Sequence, residues 1–468
     1  MRKVFVFLLV IASMFKMETV YAGQPMWTLW GNPENVRYDS KSHAWMNDNP
    51  AGENLFRAMD AYDGVRKHTL PERVPEKSKV RITFNTDVAR RPEIFCAAVF
   101  FADGQKRRDV PSEFDLPAKH GFTMKGWDFS SSEVASAIEA HRMLNPAFEL
   151  ASNVCPWNCE FCFTEDDNPN GLKKKLVGEM SLEKRLKLID EAAALGARSI
   201  NFIGAGEPSI DPNFFTLLER MRAHNITPIV YTEGALRFTN REFAKRVYDL
   251  GATVVLKVNT LKDDVYQNAI VAGPAGRKPP RAQNYFKDRN KSLEVLMELG
   301  FNDCTPTRLA FDTIICQENV SEITEIHRFA RRNNIFVLFV NYLPSGRSAQ
   351  VMHNAISRER QFQVFEEMAV IDREEFGIEH RACFPYAGGV PCTIRGLGLY
   401  VKIKGDVFDC PGESQPMGNV QNESFAEIWE KARAITQNFD GGCLPRQLFW
   451  EKNGQKITRA EIPLKLIT

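Results

Sequence analysis

Residues 150–163 read Leu150-Ala-Ser-Asn-Val-Cys155-Pro-Trp-Asn-Cys159-Glu-Phe-Cys162-Phe163, and they hold three cysteines at C-x3-C-x2-C spacing. An apolar run at 148–152 leads into the first of them, which puts the thiols on a short loop after a strand. Three thiolates on one loop can hold three corners of a cubane cluster, and soft sulfur ligands select iron–sulfur or zinc over hard cations. No fourth cysteine lies nearby, so one iron would stay open, and an open position marks a reaction site rather than a structural one. Zinc loops supply four ligands in paired C-x2-C or C/H spacing, a pattern absent from this stretch.

Outward from this loop, apolar runs recur at 198–204, 226–232, 253–259, 308–315 and 335–342, with helical segments between them. Leu182, Leu186, Ile189 and Ala193 keep one face of the first long helix apolar, and Gly196 ends it. Thr239-Asn-Arg-Glu242 reads as a capping box for a helix that stops at Gly251, and Asn319 reads as the cap of a helix through His327. A further helix is expected at about 359–376. Six strand–helix units predict an α/β fold with a parallel sheet, open or curled into a partial barrel. In such sheets the chemistry lies at the carboxyl ends of the strands. Gly204-Ala-Gly206-Glu207-Pro208 closes the second strand, where small residues let the backbone approach a ligand closely.

The cysteine spacing, with an aromatic residue (Phe161) before the last cysteine, resembles the hallmark of the radical S-adenosylmethionine superfamily. Gly204-Ala-Gly-Glu-Pro looks like that family's Gly-Gly-Glu-Pro stretch, with Ala205 in place of a glycine. Thr232-Glu233-Gly234 stands where Thr-Asn-Gly is common. The resemblance covers 146–345 and implies a partial (β/α)6 TIM-like barrel. It implies a [4Fe–4S] cluster on Cys155, Cys159 and Cys162, whose open iron is chelated by S-adenosylmethionine. Reductive cleavage then gives methionine and a 5′-deoxyadenosyl radical that abstracts a substrate hydrogen. Gly204, Gly206 and Glu207 would meet the methionine amine, and Asn259 the ribose. Asn341 and Arg347 are further candidates, and Lys257 is expected either to pair with a carboxylate or to be solvated.

Toward the C-terminus, Cys392 and Cys410 flank two expected strands joined by a Lys404-Gly405 turn, a geometry suited to two ligands of one metal site. A helix is expected from Ser424 through Trp429. This stretch resembles the SPASM and twitch modules that carry auxiliary iron–sulfur clusters. It lacks the dense cysteine run of a full SPASM pattern. One auxiliary [4Fe–4S] cluster is therefore implied, with Cys383, Cys392, Cys410 and Cys443 as its ligands, in a small module over 380–448. The bland alternative is buried free cysteine, and that is the reading for Cys316. Cys96 and Cys304 have no partner spacing.

Composition bounds the rest. The 468 residues are 44% hydrophobic and 25% charged, and 60 basic against 59 acidic residues leave +1. This is ordinary globular composition with no field to draw nucleic acid or an anionic membrane. Ten cysteines are too few for a disulfide scaffold. Residues 1–23 read as a secretory-type signal or as a start assigned too early, with Met17 or Met26 as the true one. Their apolar stretch is too short to span a membrane, which takes about 20 residues. A reduced cluster suits the cytoplasm. Residues 24–145 form an α+β extension with strands near 80–86 and 94–101 and a helix near 132–143. The basic loop at 271–291 reads as a solvated insertion, or as a lid or a contact for an anionic substrate. The expected partners are a peptide or small-molecule substrate and a one-electron donor such as a flavodoxin or ferredoxin. The competing class is a non-enzymatic iron–sulfur carrier or a zinc-stabilised binding protein. The glycine-rich strand end after the cysteine loop argues against it.

Overall fold

The computed structural model describes residues 118–164, 172–272, 280–340, 342–343, 345–378, 394–412 and 415–433, together with the backbone of five strands nearer the N-terminus. Those strands are β1 (Met26–Gly31), β2 (Val36–Asp39), β3 (Ala44–Asn47), β4 (Lys79–Thr83) and β5 (Phe95–Phe100). They lie in a unit made of Met1–Pro111 and Trp450–Thr468. There β5 pairs antiparallel with both β1 and β4, and β2 pairs with β3. Cys96 lies on β5, opposite Thr83.

The second unit, Ser112–Phe449, contains the barrel. After helix α1 (Ser131–Glu139) the chain runs β6 (Ala147–Glu149), α2 (Leu182–Ala194), β7 (Ser199–Ile203), α3 (Phe214–Ala223), β8 (Thr227–Thr232), α4 (Arg241–Asp249) and β9 (Thr253–Lys257). It continues through α5 (Asp264–Ala272), α6 (Tyr285–Glu298), β10 (Leu309–Ile314), α7 (Ile323–Arg332), β11 (Phe336–Val340) and α8 (Arg358–Phe376). Strands β6 to β11 are neighbours in chain order and all parallel. The sheet is apolar on both faces, as a parallel sheet covered on both sides must be. Val254 and Leu256 point to the helices. Val255 points to the other face, with Ile229, Ala310, Phe336 and Leu338.

That inner face is closed at one end by the segment before α1. Met124 bridges to Thr307, and Trp127 wedges among Ile229, Val255 and Phe336 with its indole N–H on Asn201 Oδ1 at 3.1 Å. Truncating a buried tryptophan of this kind costs about 3–5 kcal/mol. Residues 118–130 therefore pack on the barrel, although the sequence reading grouped them with the extension.

Two expected caps are corrected. Thr239 ends a 3-10 turn and turns its hydroxyl back onto Leu236 O. Asn240, extended as a cap must be, accepts the Phe243 N–H at 2.9 Å instead. Asn319 lies a turn before α7. Its amide bonds Cys316 N, Asn259 O and Ile314 O, so it ties β9 to β10 rather than capping a helix.

The C-terminal segment extends the same sheet. Strand β12 (Tyr400–Val401) pairs parallel with β6, and β13 (Asp406–Phe408) and β14 (Gly418–Asn419) follow antiparallel. Gly405, at φ +91°, makes the expected turn. The first expected strand of this hairpin is mostly not a strand. Ile394–Leu397 form a helical turn, and Gly398 after it presses its backbone onto Pro146, where a Cβ would stand 2.5 Å from Cα. Helix α9 (Phe425–Lys431) opens on a Ser424–Glu427 capping box, and Trp429 stacks on His141 at 4.5 Å.

Candidate functional site

The cysteine loop leaves β6 at the carboxyl end of the sheet and is held from several sides. Ser152 N–H donates to Asp211 Oδ2 at 2.8 Å, and Asn153 N–H donates to Glu179 Oε1 at 3.0 Å. Asn158 N–H and Glu160 N–H reach the last turn of α5, at Val271 O and Ile270 O. Ser348 N–H donates to Cys162 O at 3.1 Å, and Arg347 bonds Asn158 Oδ1. Gly206 N–H and Glu207 N–H donate to Ser152 O and Val154 O, both at 3.1 Å. The loop is thus paired with the end of β7, the next strand. A Cβ on Gly206 would stand 2.1 Å from Val154 O, and one on Gly204 would stand 2.0 Å from Gly206 O. The close approach these glycines permit is first of all an approach to the cysteine loop itself.

Cys155, Cys159 and Cys162 are free thiols, all partly accessible. Burial, then the charge of Cys159, pushes the Cys155 thiol well up. Burial, then Cys162, raises Cys159. Burial acts upward on Cys162 too. There Lys173, two hydrogen bonds with Thr164 and Arg347 outweigh it and hold the thiol below its ordinary range. Among the described residues no three His, Cys, Asp or Glu side chains converge as a single metal ion would need. A four-iron cluster asks instead for one thiolate at each of three irons, and the donor chemistry of this loop fits it.

The other expected site residues line the same end of the barrel. Phe161, like Cys155 and Cys159, packs against the cluster around Trp157 and Tyr285, and the Lys257 ammonium sits 4.6 Å over its ring. Lys257 pairs with Asp312 at 3.0 Å across β9 and β10, so its carboxylate reading is the one realised. Glu207 is buried, and burial raises its carboxyl. Its oxygens accept from Thr232 Oγ1 at 2.6 Å, Ser209 N–H at 3.0 Å and Glu233 N–H at 3.2 Å, which binds the end of β7 to that of β8. Burial, then the Glu207 charge, raises Glu233 well above the carboxylate range. Asn259 is buried, with its Oδ1 taken by Ile314 N–H at 3.0 Å. Asn341 lies outside the described residues.

The basic stretch at 271–291 divides. Arg289 is fully buried and donates to Thr260 O at 2.9 Å and Lys257 O at 3.4 Å; burial lowers it to about 10. It is a structural clamp. Arg281 lines a cavity of about 510 Å³ with Arg237, Pro156 and Trp157. Residues 273–279 lie outside the described set. Cys316 is buried and accepts or donates a 2.8 Å bond with Tyr266 Oη. Burial raises its thiol to about 11, in keeping with a core cysteine. Cys410 is buried at the end of β13 and accepts from Gly412 N–H at 3.4 Å. Cys383, Cys392 and Cys443 lie outside the described residues. Sequence reasoning missed Lys173 and Asp312. Lys173 hides in a Lys-Lys-Lys run that reads as a solvated face, and Asp312 hides in an otherwise apolar strand.

The radical SAM superfamily model matches residues 150–330, and an iron–sulfur cluster-binding domain model, SPASM, matches 392–452. The second match includes Cys392, Cys410 and Cys443 and leaves Cys383 outside. The mycofactocin maturase MftC of Mycolicibacterium smegmatis is 23% identical over 63% of this chain and 76% of its own length. A tungsten-containing aldehyde ferredoxin oxidoreductase cofactor-modifying protein of Pyrococcus furiosus is 23% identical over 61% of this chain and 82% of its own. Among solved structures, anSMEcpe with bound AdoMet aligns at a TM-score of 0.46 and 16% identity, over 68% of this chain and 90% of that one. No helix among the described residues is long and apolar enough to cross a membrane. The chain carries a radical S-adenosylmethionine domain over 150–330 and a C-terminal SPASM iron–sulfur module over 392–452, which make its cofactors a [4Fe–4S] cluster, S-adenosylmethionine and auxiliary iron–sulfur.

Proposed function

We propose that this enzyme modifies a peptide or small precursor oxidatively, starting from hydrogen abstraction. One observation carries the reading. The three-cysteine loop is bonded along the Gly204–Pro208 strand end, so the residues expected to hold the cluster and those expected to seat S-adenosylmethionine form one ledge. When bound, the cluster supplies the electron that divides S-adenosylmethionine into methionine and a 5′-deoxyadenosyl radical. The chain supplies position and dryness. Cys155, Cys159 and Cys162 hold the cluster. Gly204 and Gly206 keep the ledge low, and Glu207 fixes its edge to β8 while the methionine amine lies against it. Asn259 meets the ribose through the amide hydrogens that its own carbonyl bond leaves available. Phe161 and the Lys257–Asp312 pair form the wall facing the reacting groups.

In this reading Cys383, Cys392, Cys410 and Cys443 hold one auxiliary [4Fe–4S] cluster, which accepts the electron that an oxidised substrate gives up. The relatives' names, a maturase and a cofactor-modifying protein, support a precursor as substrate. A flavodoxin or ferredoxin in the cytoplasm supplies the first electron. The test is anaerobic loading with iron and sulfide, then dithionite and S-adenosylmethionine, with 5′-deoxyadenosine measured by chromatography. The wild-type chain is expected to form it, and Cys159→Ser to fall to background. A fully loaded, reduced wild type that forms none would overturn the reading.

A further inference from the structure

We propose that Lys173 sets the reduction potential of the cluster on Cys155, Cys159 and Cys162, by holding a buried positive charge against the Cys162 sulfur. The inference rests on the assignment of those three cysteines made above.

Lys173 is 4% exposed. Its Nζ lies 3.6 Å from Cys162 Sγ and 2.7 Å from Ala205 O, and it bonds Thr164 Oγ1. All three ammonium hydrogens therefore have a partner. Thr164 Oγ1 itself stands 3.3 Å from the same sulfur and donates to Ala205 O at 2.8 Å. The main chain of Lys173 is tied as well: Cys155 N–H points to Lys173 O in an isolated bridge. One residue thus grips the first cysteine by its backbone and the third by its side chain.

A buried ammonium is ordinarily matched by a carboxylate. Among the described residues Lys173 forms no ion pair within 4 Å; its hydrogen-bond partners are a carbonyl, a hydroxyl and a sulfur, and the buried Glu149 carboxyl feels its charge without touching it. Sulfur is the one partner that becomes anionic when iron binds. The neighbouring cation differs in this respect, because Lys257 is offset by Asp312 at 3.0 Å. Reduction adds one electron to a site that already carries three thiolates. An adjacent, desolvated cation stabilises the reduced form more than the oxidised form, and the effect is larger at low dielectric. Lys173 therefore raises the potential and eases loading of the electron.

The test uses the full chain, loaded anaerobically, with wild type, Lys173→Arg, Lys173→Gln and Lys173→Met compared. Each is titrated against redox mediators, and the paramagnetic signal followed is the one that changes when S-adenosylmethionine is added. At the wild-type midpoint, the reduced-to-oxidised ratio is expected to fall about tenfold in Lys173→Gln and Lys173→Met, about 59 mV for one electron. Lys173→Arg is expected to stay within about twofold of wild type. Neutral variants that titrate at the wild-type midpoint would overturn the proposal, as would an arginine variant shifted as far as the glutamine one. If both neutral variants bind no iron at this site while arginine does, Lys173 serves assembly, and the proposal also fails. A wild type with no signal responsive to S-adenosylmethionine would sink the proposed function itself.

Discussion

The two cysteine regions of this molecule differ in what places their cysteines. Cys155, Cys159 and Cys162 fall within eight residues, and their loop is clamped by bonds to β7, to α5 and to the segment after β11. The C-terminal cysteines run from 383 to 443. Cys410, the described one, follows β13, which pairs with β12, and β12 in turn docks on β6. A local ligand set needs a short loop and a rigid edge. A dispersed set needs the sheet to continue correctly past its first strand. The catalytic site should therefore survive damage to the C-terminal hairpin, and the reverse should hold less well, since the hairpin leans on the strand that launches the cysteine loop.

The strongest way to break this contrast is to remove ligands. Replacing Cys155, Cys159 and Cys162 together by alanine is expected to abolish 5′-deoxyadenosine formation and to remove about four irons per chain. Cys392→Ala with Cys410→Ala is expected to remove a similar amount of iron and leave formation of 5′-deoxyadenosine within a few-fold. Iron analysis and product chromatography read both. Unchanged iron in the second variant would strip the auxiliary site of its ligands.

A subtler pair uses glycines. In Gly206→Ala the new methyl meets Val154 O at 2.1 Å, and in Gly398→Ala it meets Pro146 Cα at 2.5 Å. Backbone has to move in both cases. Gly206→Ala is expected to slow S-adenosylmethionine cleavage by about tenfold or more, equivalent to about 1.4 kcal/mol, with iron lost from the catalytic site. Gly398→Ala is expected to lose iron from the C-terminal module first. Equal loss of both clusters in both variants would mean that the two regions fold as one.

The same contrast explains what the sequence made legible. The succession of strands and the cysteine loop follow from short-range patterns: apolar runs of strand length, one amphipathic helix after another, and cysteines with three and then two residues between them. The lapses are long-range. Asn319 has a cap's chemistry, but the ends of β9 and β10 compete for its amide and win. Arg289 sits in a basic run that looks solvated, yet the carbonyls of Lys257, which ends β9, and of Thr260, just after it, take its guanidinium into the core. Lys173 is recognisable only once the strand end that supplies Ala205 O is folded beside it. Gly398, just after the helical turn that precedes β12, meets Pro146, some 250 residues earlier in the chain. No spacing rule encodes such partners.

The smallest expected effect lies where the two regions meet. Glu149 ends β6, one residue before the loop's first apolar positions, and its buried carboxylate accepts the Tyr400 hydroxyl and the Ile403 N–H, the latter at 2.9 Å. Burial raises its pKa, and the bonds from Tyr400 and Ile403 only partly oppose this. The folded state therefore holds the proton more tightly than the unfolded chain. The associated stability is fully present below the ordinary carboxylate value and is lost as pH rises through the folded one. Thermal unfolding of the loaded chain, followed from the ordinary carboxylate range upward, should show a midpoint that declines as pH rises through the folded value, by about 2–4 °C for each kcal/mol. Glu149→Gln keeps an acceptor for Ile403 N–H and a donor toward the phenol oxygen, so it is expected to flatten the slope. Tyr400→Phe removes a bond that favours the charged form, so it is expected to steepen the slope. A glutamine variant with the wild-type slope would locate the pH sensitivity elsewhere and leave the junction of barrel and hairpin a matter of packing alone.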